Sequence, residues 1–495
     1  MSLSWRRKLL GLMALVGAAV AVVVLVVLSI AFLQRERIRQ VAASGIEDSI
    51  AKRAAILVLE HVRVIDGKGR PPVEDQRIII AGGKIAFVGG PGAGPLPAGS
   101  TVLELPGRTV FPGLVGMHEH LFTDSETESP DHPLAEQGTI FPRMYLSAGV
   151  TTARTAGSID PEADLRVKAR IDSGEMPGPN LFLTAPYLEG QPPTLPEMVG
   201  LKDATEARER VATWASRGMT SFKAYMNITA DELRAAVVEA HARGLKITGH
   251  LCTIGFTEAA DLGIDNLEHG LLADTEFFSG KQQGVCPPPS YLKEYASRLD
   301  VASPRVEALI RHLVERHVAI TSTLAVFESE LGAPPERDAA RVRDVLTWRA
   351  WRSAHDRAAY VAQFHVSSLL GKEMEFERAY VQAGGTLLAG ADPTGDGNTL
   401  AGFGDQRELE LLVQAGFTPV EALRIATENG AEFLGIADRT GSIETGKQAD
   451  LVVVTGDPSR DISSVRKVEL VFKEGVGYSP ERLLAGIHGV VGIPN

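Results

Sequence analysis

The chain has 495 residues, too many for one small domain, and 44% of them are apolar, enough to bury large cores. Its net charge of −12 argues against nucleic acid as a partner, because phosphate binding needs a basic surface. Cys252 and Cys286 are the only cysteines, too few for a disulfide framework or a cysteine zinc cluster, so any metal site must use His, Asp, Glu or Lys.

Arg6, Arg7 and Lys8 precede Leu9 to Leu33, a run without charge or proline. A signal-peptide core takes about 7–15 residues and a membrane span about 20, so the run is expected to be an uncleaved single-pass anchor. Basic residues flank it on both sides, which gives a weak preference for a cytoplasmic N-terminus and a catalytic body outside the cytoplasm, periplasmic or extracellular. A cleavage site at Ser29-Ile30-Ala31 or an export signal at Arg6-Arg7 would also send the body across a membrane. Residues 1–40 are assigned to this anchor and tether, with a charged stretch running on to residue 53.

From Ala54 the pattern changes to short β segments: Ile56 to Leu59, Val62 to Ile65, Arg77 to Ile80, Ile85 to Val88 and Thr101 to Leu105, separated by glycine turns. They predict a small β-sandwich over residues 54–111. Short strands return after residue 437, at Leu451 to Val454 and Glu469 to Phe472, so residues 438–495 are expected to complete one discontinuous sandwich.

Between these flanks, residues 112–437 alternate apolar β runs with helical segments. The expected strands are 114–118, Gly149 to Thr155, Leu181 to Ala185, Ser221 to Tyr225, Lys246 to Leu251, Asn266 to His269, Val318 to Leu324 and Thr386 to Asp392. Thr229-Ala230-Asp231-Glu232 is a capping box, and Thr418-Pro419 opens a later helix. Parallel strands need helical crossovers, so this series predicts a closed (β/α)8 TIM barrel, an α/β fold. The barrel region is longer than the fold requires, and the surplus lies in residues 272–317 and 327–385, placed to roof the strand ends.

In such barrels the chemistry sits at the C-terminal ends of the strands. Strand one ends in His118-Glu119-His120, and period two points both imidazoles the same way. Strand four carries Lys223 in an apolar run, strand five ends at His250, strand six at His269 and strand eight at Asp392. Each alone reads as a structural residue. Together they are a set of donors for divalent metal. Tyr225 shares a face with Lys223, and could either contact the substrate or pack in the barrel. Arg154 ends strand two, and could bind a substrate carboxylate or serve as a structural ion-pair partner. Glu119 faces away from its neighbours and reads as a supporting or packing residue. His132, His355 and His365 have no strand-end position and read as structural.

Val64-Ile65-Asp66-Gly67, Phe111-Pro112-Gly113-Leu114, Gly149 to Arg154, Asn266 to Gly270, and Gly441-Ser442-Ile443 with Asp450-Leu451-Val452 resemble the amidohydrolase superfamily. More narrowly they resemble its imidazolonepropionase-related branch, with metal-dependent dipeptidases and amide hydrolases. The resemblance implies a barrel flanked by a sandwich and a binuclear centre held by His118, His120, Lys223, His250, His269 and Asp392. Zinc is the expected ion. Imidazolonepropionase itself lacks the bridging lysine, so Lys223 argues against that activity.

An ammonium beside two dications has no lone pair to give. Carboxylated with carbon dioxide, Lys223 becomes N6-carboxylysine, an anion that can bridge two metals. His118, His120 and Asp392 would then hold one metal, and His250 and His269 the other. The expected reaction is attack of a metal-bridging hydroxide on an amide or peptide bond, in a dipeptide or N-acyl amino acid, with Asp392 moving the proton. A lactonase or ester hydrolase on the same centre, a mononuclear deaminase, and a non-catalytic scaffold tethered at the membrane are the alternatives; a homo-oligomer stays open. The loop at Ala401 to Gly404 has no histidine, unlike many relatives, so substrate carry-over from them is weak.

Overall fold

The computed structural model describes residues 3–121, 138–331, 339–361, 363 and 366–492. His132 and His365 lie outside them. Apolar β runs between residues 114 and 389 form two parallel sheets, one of three strands (Leu114–Glu119, Val150–Thr155, Asn180–Phe182) and one of five (Ser221–Met226, Lys246–Leu251, Asn266–Glu268, Ala319–Ser322, Leu387–Ala389). Parallel bridges from Thr184 to Ser221 and from Leu188 to Ala224 join strand three to strand four. The amide of Asp392 donates to the carbonyl of His118 at 2.9 Å, which joins strand eight to strand one. The result is a closed TIM-type barrel.

The close approach at the second seam depends on Gly390. A Cβ there would stand 2.3 Å from the His118 amide nitrogen, so a larger residue would force the seam apart. Helices fill the crossovers, and the capping boxes at Thr229/Glu232 and Thr418/Glu421 are both formed. Strands one and two are buried along their whole length, as expected of strands covered on both faces.

Strands from both flanks of the barrel pair in one nine-stranded sheet. Leu451–Thr455 is its pivot. It runs antiparallel to Arg108–Pro112 on one side and to Val468–Lys473 on the other. Its alternation divides two cores. Leu451 and Val453 join Leu57, Leu59, Ile78 and Phe472, whereas Val452 and Val454 pack into the barrel's core.

The N-terminal segment departs from expectation. The helix that carries the Leu9–Leu33 run spans Leu3–Ala43. Among the described residues, no helix is long and apolar enough to cross a membrane. The expected anchor, and the location outside the cytoplasm that rested on it, therefore fall. The helix does not end with the apolar run. It continues through Gln34, Ile38 and Val41, which are buried. Arg143 donates to the carbonyls of Val41 at 3.4 Å and Ser44 at 2.7 Å, fixing its last turn to the barrel. The supposed tether is also ordered, because Ile50–Lys52 adds a strand beside Val476–Tyr478.

Candidate metal centre and active site

The strand-end side chains converge. His118 Nε2 lies 3.3 Å from Lys223 Nζ and 3.5 Å from Asp392 Oδ1. His120 Nε2 is 3.1 Å from the same carboxylate oxygen, and His269 Nδ1 is 3.8 Å from Asp392 Oδ2. The His250 ring centroid is 4.5 Å from that of His269. Single donor atoms of His118, His269 and Asp392 all fall within 4.8 Å of one another, close enough to share one ion. This trio takes members from both of the ligand sets expected for two separate metals.

Two of the donors sit on strained backbone. His269 has φ +70° and Asp392 φ +48°, a left-handed conformation rare outside glycine. Each turns its side chain sharply inward as its strand ends. Strain of this kind persists where the surroundings over-determine it, and it clusters at functional sites.

Partners one layer out fix the imidazoles. His118 Nδ1 is 2.8 Å from Glu268 Oε2, and His269 Nδ1 is 2.8 Å from Thr323 Oγ1. A carboxylate behind an imidazole sets its tautomer and strengthens the opposite nitrogen as a donor. Burial would push the Glu268 carboxyl up, but Arg154, His118 and Lys223 outweigh it and hold Glu268 well below the usual carboxylate range. Asp392 is likewise held low, with His118, the His120 hydrogen bond and His269 overcoming desolvation.

Desolvation is the largest influence on the bases. Burial, with Lys223 nearby, lowers His118 to about 4 and His250 to about 3. Burial and the neighbouring His250 and His118 hold His269 well below its ordinary value. All three rings are therefore neutral at pH 7, the form a metal needs. Burial lowers Lys223 to about 8, against the pull of Glu268 and Asp392, so a minor fraction is free amine near neutrality. Donor spacing, neutral imidazoles and an ionised carboxylate together fit a divalent metal site.

Tyr225 stands beside this cluster. Its ring lies 5.3 Å from His250 and 4.8 Å from Tyr187. Arg154 does not reach a substrate position. Its guanidinium is 1% exposed and is taken up by Glu268 at 2.6 Å, by Asn266 at 2.9 Å and by the Met117 carbonyl. A residue at that depth is an ion-pair partner, which corrects the expectation that it binds a carboxylate. Glu119 lies behind strand one, accepting from the Ala391 amide at 3.2 Å. His355 packs on Trp351 in an outer helix.

The long insertions do roof the site. Helices Tyr291–Arg298, Leu324–Glu330 and Trp348–Val361 enclose a cavity of about 660 Å³ that opens onto His250, His269 and Asp392. A Cys252–Cys286 disulfide ties the first insertion to the end of strand five, two residues past His250. Glu268, Thr323 and Tyr187 are the supporting residues that sequence patterns missed. Glu268 sits inside the Leu267-Glu268-His269-Gly270 motif, and its direct precedence of a strand-end histidine is the one local signal available.

Comparisons with known proteins agree with this geometry. The profile of the amidohydrolase family matches residues 109–476. Adenine deaminase 3 of Rhizobium meliloti (strain 1021) is 21% identical over 449 residues, covering 88% of this chain; the chain spans about 60% of that relative's length. Among solved structures, a Xaa-Pro dipeptidase with methionine bound in its active site is similar, with a TM-score of 0.64 at 20% identity, over 86% of this chain and 100% of the other. The ochratoxinase of A. niger gives 0.62 at 20%, over 87% and 97%. Molinate hydrolase gives 0.62 at 17%, over 86% and 95%. At these identities the likeness carries the fold alone.

Proposed function

This chain belongs to the amidohydrolase family, and on that premise we propose that it is a binuclear metal hydrolase of an amide or peptide bond. The observation that carries the reading is the convergence of His118, His269 and Asp392, with buried Lys223 3.3 Å from His118. His118, His120, His250, His269, Asp392 and carboxylated Lys223 would hold the two ions, with zinc the expected metal. Bound there, divalent metal supplies an acidic water and a Lewis acid for the substrate carbonyl.

The remaining chemistry belongs to the chain. The free amine of Lys223 would add to the carbon of carbon dioxide, forming an N–C bond as one C=O π bond opens and one N–H proton is released, which would give an anionic side chain able to hold metal. Asp392 is ionised and partly exposed to the cavities, so it can accept the proton of the attacking water and return it to the leaving nitrogen. Glu268 holds His118 in one orientation throughout. Tyr225 faces the cluster from the Tyr187 side, where its phenol can donate to the substrate carbonyl. Membership of the amidohydrolase family supports a carbon–nitrogen bond as the target.

The test is a hydrolysis screen over dipeptides and N-acyl amino acids with divalent metal supplied. Cleavage that disappears with chelator supports the reading. Turnover of lactones without any amide turnover contradicts it.

A further inference from the structure

Two cavities open from the site, and both touch Asp392 and Thr394. They differ in chemistry. The larger has apolar walls that include Leu272, Leu292, Val326, Phe327 and Leu331. The smaller, about 180 Å³, lies on the His120 side and is lined by Tyr187, Tyr225, Ser158 and Asp164. No lysine or arginine is among its lining residues.

Asp164 is the anomaly. It is 2% exposed, and its Oδ1 has no hydrogen-bond partner among the described residues. The Ser158 hydroxyl beside it, 4% exposed, likewise has no well-formed hydrogen bond among the described residues, and its influence on Asp164 favours the ionised carboxylate. A buried polar group left unpaired costs stability, so a native structure keeps one for a reason. Helix capping is not that reason. Helix Pro161–Asp172 is already capped by Asp160, whose side chain accepts from the Ala163 amide at 2.9 Å. Burial, opposed by Ser158 and reinforced by Asp160, raises the Asp164 carboxyl to about 7. A cation beside it would return it to the ionised form. The Tyr187 and Tyr225 rings, packed on each other with centroids 4.8 Å apart, line the same cavity.

We propose that the smaller cavity is a subsite for a primary ammonium group of the substrate, received by Asp164 and Ser158 beside the Tyr187–Tyr225 pair, while an apolar substituent fills the larger cavity. This rests on the hydrolase reading of the centre, and it names the substrate class: amino-terminal peptides or aminoacyl amides with a bulky apolar group across the cleaved bond. A carboxylate in the smaller cavity would meet Asp164, and no lysine or arginine lines that cavity to offset the repulsion.

Two measurements on the metal-loaded chain decide it. The first compares glycyl-L-phenylalanine with N-acetylglycyl-L-phenylalanine, which differ at the amino group alone. Losing a charged hydrogen bond should cost about 10–100-fold. Asp164→Asn should therefore lower kcat/KM for the free-amine peptide by about that factor, chiefly through KM, and leave the acetylated peptide within about threefold. Equal losses on both peptides, or none on either, overturn the proposal. The second is calorimetric titration with phenethylamine and 2-phenylethanol, which needs no turnover and so separates failure of this subsite from failure of the hydrolase reading. Wild type should bind the amine at least about tenfold more tightly, and Asp164→Asn or Ser158→Ala should narrow the gap. Equal binding of the two probes by wild type overturns the subsite even if amides are cleaved.

Discussion

Two groups of buried acids, one at the strand ends and one on the helices Ser368–Gln382 and Phe403–Gln414, are charged differently. At the strand ends, Glu268 and Asp392 are held ionised. On the helices packed outside the barrel, Glu373, Glu377 and Glu408 are about as buried as Glu268, but their carboxyls are pushed up rather than down. Burial raises Glu373 to about 8 even though the amides of Leu271 and Leu272 donate to it at 3.1 and 2.8 Å. Burial raises Glu408 to about 7 against Ser322 and the Ala325 amide. Neither oxygen of Glu377 has a hydrogen-bond partner among the described residues. Depth is therefore not what sets the charge. Arg154, Lys223 and the imidazoles surround the first pair, whereas backbone amides, hydroxyls and other carboxyls surround the second group. Cations and imidazoles make the strand ends an anionic cradle for metal; without them the same residue type becomes neutral packing.

The contrast can be broken in order of expected effect. Asp392→Asn should lower turnover by about 10²–10⁴-fold while keeping much of the metal, read as kcat beside metal content. Full activity in that variant would remove Asp392 from proton transfer. Lys223→Ala should lose metal and activity, with partial recovery on adding short carboxylic acids that replace the bridging anion. Normal activity without any added acid would sink the carboxylated lysine. Glu268→Gln strands Arg154 and frees His118. It should cost about 3–5 kcal/mol of stability, as breaking a buried pair does, and about 10–100-fold in metal affinity. Unchanged urea unfolding and unchanged metal titration would show that Glu268 is not what organises the cradle.

The smallest effect is expected behind the strands. Glu408 ionises near 4.5 when unfolded and near 7 when folded, so the unfolded chain loses its proton first as pH rises. Stability should therefore fall between about pH 4.5 and 7 on account of this group, and level off above. Glu408→Gln removes that proton, so its stability should decline less steeply than wild type over the same interval. Identical slopes would mean that Glu408 is ionised in the folded protein.

Much of the fold was legible in the sequence because its signals are local. The eight apolar runs, the Thr229 and Thr418 caps and the strand-end positions of His118, His120, His250, His269 and Asp392 can each be read within a few residues. Partnership across the chain could not. The role of Arg154 was open between two readings until Glu268, over a hundred positions away, decided it. Asp164 and Ser158 sit in an ordinary-looking loop and first helical turn, and only tertiary structure leaves them facing a cavity. The two cysteines offered no framework, yet their single bridge ties an insertion beside His250. The Leu9–Leu33 run misled for the same reason, since local hydropathy does not reveal that the helix continues onto Arg143.

The central claim is that the six strand-end donors form one divalent metal centre. Elemental analysis of the chain purified without chelator, wild type beside Lys223→Ala, tests it most directly. The account predicts about two divalent ions per wild-type chain, as a two-metal hydrolase requires, and a clear loss in the variant. A wild-type chain that retains no metal, or a variant that retains as much as wild type, would contradict it.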